Sequence, residues 1–307
     1  MKLHHLRDLL AIAERGSIRA AAKQLGLGQP GLSRSVRDLE KEVGVPLLER
    51  HGNGSLLTPM GKLFVERAKA AVGELRRARD EIDQYQGAVH GTVVVCISSL
   101  SHIALLPDVL RPFKQRFPLV QLRIIEGVYP VVEARLTDGT IDFYVGPEAP
   151  TLAPGLVQQT MFSNNRIVLA RKGHPLGKAR SLRELTEADW ITTSITESAD
   201  TEFNELFTSH GLPAPHLSMV AESALTWITV VANSDTLAIS PMQWADSPLL
   251  HDLIEPVPVE EELSCLDIVM IRRSAMPLTP AAEHLADLVG RAAEPYRRGG
   301  GILKAVG

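Results

Sequence analysis

Two periodicities divide this chain. From Leu3 to Tyr85 apolar residues recur every three or four positions, whereas from Thr92 onward short β-branched runs alternate with helical stretches. A run of helices followed by strand–helix alternation does not build one sheet or one bundle. The change of period around Gly87–Gly91 therefore predicts a boundary between an all-α head and a mostly parallel α/β body. At 307 residues the chain also exceeds the size at which one hydrophobic core keeps growing.

Within the head, Leu3, Leu6, Leu9, Leu10 and Ala13 describe a first helix that Gly16 stops. Ser17 offers a hydroxyl cap to a second helix carrying Ile18, Ala21, Ala22 and Leu25, which ends at Gly26. After the short turn GLGQ, Pro30 fits the first turn of a third helix, whose inward stripe is Leu32, Val36, Leu39 and Val43 before Gly44. VPLLER and SLLT then flank HGNG, where Asn53-Gly54 suits a tight hairpin and so a wing. Thr58-Pro59 opens a long helix over 59–86. Its stripe Phe64, Ala68, Ala71, Leu75, Ala78, Ile82 and Tyr85, spaced alternately by four and three, predicts a dimerisation seam; packing on its own domain is the alternative.

In the body, TVVVCI, QLRIIE and DFYVG read as strands with helical patterns near 103–116 and 130–138 between them. A second set follows in RIVLAR, WITT, LSMVAE and TLAIS, with helices at 199–210 and 223–233. LDIVMI and a final helix at 279–293 are expected to return to the first set. The expected division is a head at 1–58, a linker helix at 59–87 and a body at 91–307. Subdomain I of the body takes about 91–161 and 267–307, and subdomain II about 162–266.

The net charge of −4 hides an asymmetry. Residues 1–90 hold 15 Lys/Arg against 11 Asp/Glu, and the remainder holds 17 against 25, a basic head on an acidic body. On the third helix Arg34, Arg37 and Lys41 lie off the apolar stripe at i, i+3 and i+7 with Ser33 beside them. Arginine forks onto guanine or phosphate, and Gln29, Ser33 and the free amides of the helix start can hold phosphate or base edges. The plainer alternative is a solvated helix face on which Glu40 and Glu42 form surface pairs.

The order helix, capped helix, tight turn, cationic helix and hairpin is that of a winged helix-turn-helix. The run GSIRAAAKQLGLGQPGLSRSVRDLEKEVGVPLLER…LTPMGKLF resembles the N-terminal signature of LysR-type transcriptional regulators. Ser17, Ala21, Ala22, Leu25, Gln29, Pro30, Ser33, Leu39, Glu40, Gly44, Leu47, Arg50, Thr58 and Gly61 stand where that pattern wants them. Leu48 departs from the usual phenylalanine and Gly28 from a common serine. The resemblance implies DNA contact by Ser17, Gln29, Pro30, Ser33, Arg34, Arg37, Lys41 and Arg50, and double-stranded promoter DNA and RNA polymerase as partners. It also implies a periplasmic-binding-protein-like effector domain of two α/β subdomains holding a small molecule between them, and a tetramer built as a dimer of dimers. EGVYPVVEARLTDGTIDF and VVANSDTLAISP are similar to the branch regulating aromatic-sulfonate and sugar metabolism.

Ligands in open α/β sheets collect beyond the carboxyl ends of strands, where helix N-termini point. That rule places Ser98 and Ser99 after TVVVCI, Pro147 after DFYVG, Thr193 and Ser194 after WITT, and Ser240 and Pro241 after TLAI around an expected anionic effector, with Tyr129 closing the cleft. Ordinary capping by Ser98 and ordinary packing by Tyr129 are the alternatives.

No nucleophile elbow, P-loop, H-E-x-x-H or paired C-x-x-C occurs, so neither catalysis, cofactor nor metal is expected. Cys96 and Cys265 read as apolar packing, with redox sensing as the alternative. No secretion signal or bilayer-length apolar stretch is present, which predicts a cytoplasmic location. The rival from another class is a cytosolic ligand-binding or enzymatic α/β protein whose N-terminal helices only mediate oligomerisation.

Overall fold

A computed structural model describes residues 1–51, 54–86, 90–129, 131–193 and 199–297. Three short helices open the chain: α1 (Leu3–Arg15), α2 (Ile18–Leu25) and α3 (Gln29–Val43), each bounded by local chemistry. The Ser17 hydroxyl accepts the Ala20 amide at 3.1 Å to start α2, and Gly26, at φ 65°, takes the left-handed conformation that ends it and turns the chain toward α3. Leu9, Ile12, Leu32, Leu39 and Leu47 are wholly buried at the centre of this head. Strands β1 (Leu48–His51) and β2 (Gly54–Leu57) form the antiparallel wing, with His51 opposite Gly54; the expected turn through Asn53 lies outside the described residues.

Thr58 accepts the Gly61 amide at 2.9 Å and starts α4 (Pro59–Tyr85), 27 residues long. A Cβ at Gly61 would fall on the Leu47 carbonyl oxygen, so only glycine lets α4 lie this close to the head. The expected seam divides along its length. Ala68 is buried in the head's own core and Phe64 packs half-buried against it, a correction that follows from the first turns of α4 lying against α1. Ala71, Leu75, Ala78 and Ile82 stay exposed, Leu75 at 55% and Ile82 at 58%.

A polar face of α4 is bolted to the body. Strands β3 (His90–Ile97), β4 (Leu119–Glu126), β5 (Phe143–Pro147), β6 (Leu156–Phe162) and, much later in the chain, β13 (Ile268–Arg273) form one sheet in the order β4-β3-β5-β13-β6. Glu74 of α4 accepts from both Arg77 and Arg273, and Arg77 also donates to the Gly139 carbonyl. Farther along, Gln84 donates to the His90 carbonyl at 3.2 Å and accepts the Ala281 amide at 2.9 Å.

The first sheet carries α5 (Ser99–Arg116), the short α6 (Glu133–Thr137), α9 (Pro280–Ala292) and α10 (Glu294–Arg297). The second contains β7 (Asn165–Arg171), β8 (Asp189–Thr193), β9 (His216–Ala221), β10 (Leu237–Pro241) and β11 (Ile254–Val257) in the order β11-β7-β10-β8-β9, with β12 (Leu263–Ser264) beside β7. Helices α7 (Ala199–Thr208) and α8 (Ala224–Asn233) accompany it. The expected parallel core is present in β4-β3-β5 and β10-β8-β9. Strands β13 and β7 run antiparallel to their neighbours, which makes both sheets mixed, and β6, β11 and β12 are strands the sequence reading does not contain. α5 starts at Ser99, four residues before its expected start, because Ser98 caps it.

Candidate nucleic-acid interface and ligand cleft

On α3, Gln29, Pro30, Arg34, Arg37 and Lys41 are exposed and Ser33 is half-buried, while Leu32, Val36 and Leu39 face the core. Arg37 donates to the Ser33 carbonyl at 3.2 Å, which lays its guanidinium along the helix surface. Two of the carboxylates on this helix are committed elsewhere. Glu40 accepts the Leu47 and Leu48 amides at 2.8 and 3.0 Å and so holds the base of the wing, and Glu42 pairs with the terminal amine of Met1. Among the described residues no carboxylate pairs with Arg34, Arg37 or Lys41, so the surface pairs with Glu40 and Glu42 are not formed. Ser17 spends its hydroxyl on the α2 cap. The side chain of Arg50 lies outside the described set.

A cavity of about 350 Å³ lies between the two sheets of the body. Ser98, Ser99, Tyr129, Pro147, Thr193, Ser240 and Pro241 all line it, brought together from five strand ends and loops; Ser194 lies outside the described residues. Ser98 does cap α5, accepting the Ser101 amide at 3.3 Å, and its hydroxyl lies 3.0 Å from that of Ser101. Ser99 donates to Glu126 at 2.5 Å. Tyr129 is fixed rather than poised as a lid: its hydroxyl donates to Glu133 and accepts the Ala153 amide at 3.2 Å, and burial together with Glu133 raises its pKa. His102 donates through Nδ1 to the Ser98 carbonyl at 3.0 Å and does not line the cavity.

Several lining residues carried no local signal. Trp227, Trp244 and Phe203 supply aromatic walls, and Asn164, Arg166, Glu148, Glu202 and Cys265 add polar groups. Arg166 stands in the run RIVLAR, where it reads as an ordinary strand end; only the sheet's position against the cavity gives it a role. Burial pushes the Cys96 thiol up to about 11 and raises that of Cys265, which keeps both in the unreactive protonated form at neutral pH. Cys265 is half-buried in the cleft wall and not in the interior. Among the described residues there is no cluster of three metal-ligating side chains, and no helix is long and apolar enough to cross a membrane.

Residues 3–62 match the helix-turn-helix of bacterial regulatory proteins of the lysR family, and residues 86–294 match the LysR substrate binding domain. The chain belongs to the LysR family of transcriptional regulators. It is 30% identical to the HTH-type transcriptional regulator CysB of Haemophilus influenzae over 228 residues, 73% of this chain and 70% of that protein. It is 25% identical to the regulator TdcA of Escherichia coli over 288 residues, 94% of this chain and 92% of that one. Among solved structures, full-length CbnR in complex with its target DNA superposes with a TM-score of 0.70 at 23% identity, covering 95% of this chain and all of that one (100%). A full-length OxyR variant from Pseudomonas aeruginosa gives 0.66 at 22% identity, covering 94% and 98%. Like these LysR folds, the chain joins a winged helix-turn-helix to a two-subdomain effector-binding domain, and the cavity lies between those subdomains.

Proposed function

We propose that this LysR-family regulator reads promoter DNA with the outer flank of α3 and that a small organic anion in the cleft adjusts that reading. Arg34, Arg37 and Lys41 supply the salt-dependent affinity, while Gln29, Pro30 and Ser33 at the start of α3 set register and part of the base readout. Ser17 at the start of α2 and Arg50 in the wing complete the contact set. The observation that carries the reading is that the three cations lie exposed on one helix with no carboxylate among the described residues paired to them, Glu40 and Glu42 being engaged elsewhere.

The exposed stripe of α4 joins two heads for two half-sites, and a pair of such dimers makes the working tetramer, which presents the promoter to RNA polymerase. The cleft lies at the carboxyl ends of the strands, with the N-terminus of α5 at Ser98–Ser99 on one wall and Thr193, Ser240 and Pro241 on the other. This is favourable ground for an anion. No catalytic step enters the reading, and the cytoplasm is its natural location.

Retention of the purified protein on its promoter fragment tests it. Arg34→Ala and Arg37→Ala should each abolish specific retention without altering fold or oligomer, and each lost phosphate contact should lower the slope of log affinity against log salt by about 1. Shallow, sequence-blind retention by the wild type at physiological salt would favour the oligomerising ligand-binding rival.

A further inference from the structure

Among the described residues that line the cleft Arg166 is the cation, and no carboxylate among them closes an ion pair with it. It is the second residue of β7, half-buried, opposite Pro241 of β10 and Leu263 of β12. Strand alternation sets it on the face that also presents Val168 and Ala170, which pack with Phe203 and Leu206, so its guanidinium emerges at the rim of an aromatic and aliphatic cluster. No ion pair forms between it and any carboxylate among the described residues. Its named polar neighbour is the Cys265 thiol, whose burial raises its pKa despite the guanidinium, so the sulfur stays neutral and supplies no counter-charge.

A half-buried guanidinium facing a cavity without a counter-ion is costly, and the strongest compensation is the two-pronged hydrogen bond to a planar acid group. The rest of the cavity narrows what carries that group. Trp227, Trp244, Phe203 and Tyr129 line it with flat apolar surface, and the two tryptophan rings lie 5.1 Å apart. Glu148 also lines it and would repel a second negative charge on the ligand.

We propose that Arg166 forks onto the acid group of the effector, and that the effector is a small monoanion with a flat apolar body, in kind a one-ring carboxylate or sulfonate. This rests on the reading of the cleft as the effector site and assigns its charge sensor to subdomain II, on a strand remote in sequence from Ser98.

The test uses the full chain with four probes: benzoate, benzenesulfonate, benzamide and phthalate, followed by thermal shift and calorimetry. The two monoanions should raise the melting temperature, whereas neutral benzamide and dianionic phthalate should not. Arg166→Gln should keep the unliganded melting temperature and weaken benzoate binding roughly ten- to hundred-fold. Arg166→Lys, which keeps the charge and loses the fork, should bind benzoate with intermediate affinity and still prefer it to benzamide. Equal binding of benzoate and benzamide, benzoate binding unchanged in Arg166→Gln, or no shift with either monoanion would overturn the assignment. A shift produced instead by galactose, and abolished by Trp227→Ala, would also overturn it while leaving the cleft itself as the effector site.

Discussion

Glu40 decides what the cations of α3 are available for. A carboxylate one turn from Arg37 normally closes an exposed i,i+3 pair worth a few tenths of a kcal/mol. Here it turns inward and accepts two amides of the segment that enters the wing, Leu47 at 2.8 Å and Leu48 at 3.0 Å, each a hydrogen bond to a charged acceptor. One side chain thus fixes the wing against α3 and leaves Arg37 unneutralised. Glu40→Ala should strip the Leu47 and Leu48 amides of hydrogen-exchange protection, cost the head about 2–3 kcal/mol, and lower DNA affinity although no cation has been touched. Protection of both amides at the wild-type level in that variant would show that the wing is held by its apolar contacts alone.

At the scale of elements, α4 separates two jobs by face. Glu74, Arg77 and Gln84 tie it to the body, while Ala71, Leu75, Ala78 and Ile82 run along an exposed side. Leu75→Glu with Ile82→Glu should therefore convert the assembly to smaller species in sedimentation and weaken promoter binding, with little change in the unfolding of a single chain, since neither residue is buried within it. An unchanged sedimentation coefficient would move the seam elsewhere. The caps and stops of this region were legible because Ser17, Gly26, Gly44 and Thr58 act on their immediate neighbours. The apolar period of α4 was legible too, but not which partner each turn would meet, and Ala68 went to the head's core. Strands β6, β11 and β12 escaped notice for a related reason. Leu156–Phe162 alternates irregularly in burial at a sheet edge, and a two-residue strand has no period to read. Likewise the rule of strand ends brought Ser98, Pro147, Thr193 and Ser240 into one cavity, whereas Arg166 and Trp227 become visible only when two sheets face each other.

Across the whole molecule, two strands connect the cleft to the linker helix. β3 begins at His90, whose carbonyl accepts from Gln84, and runs to Ser98 in the cleft wall; β13 begins at Ile268, in the same wall, and ends at Arg273, which shares Glu74 with Arg77. A shift of either strand at the cavity is thereby presented to α4 through hydrogen-bonded, largely buried charges, which tolerate little stretching. If this connection carries the signal, the coupling is reciprocal: a ligand that changes promoter affinity by some factor must find its own affinity changed by the same factor when DNA is bound, typically roughly 5- to 150-fold. Benzoate binding measured with and without promoter DNA should show that factor in the wild type. Glu74→Gln, which removes the charge shared by the two arginines, should bring it toward unity while leaving ligand binding without DNA, and DNA binding without ligand, near their wild-type values. A coupling factor unaltered by Glu74→Gln would mean that the two sites communicate through the apolar core or through subunit rearrangement, and that this buried cluster serves only to hold the helix in place.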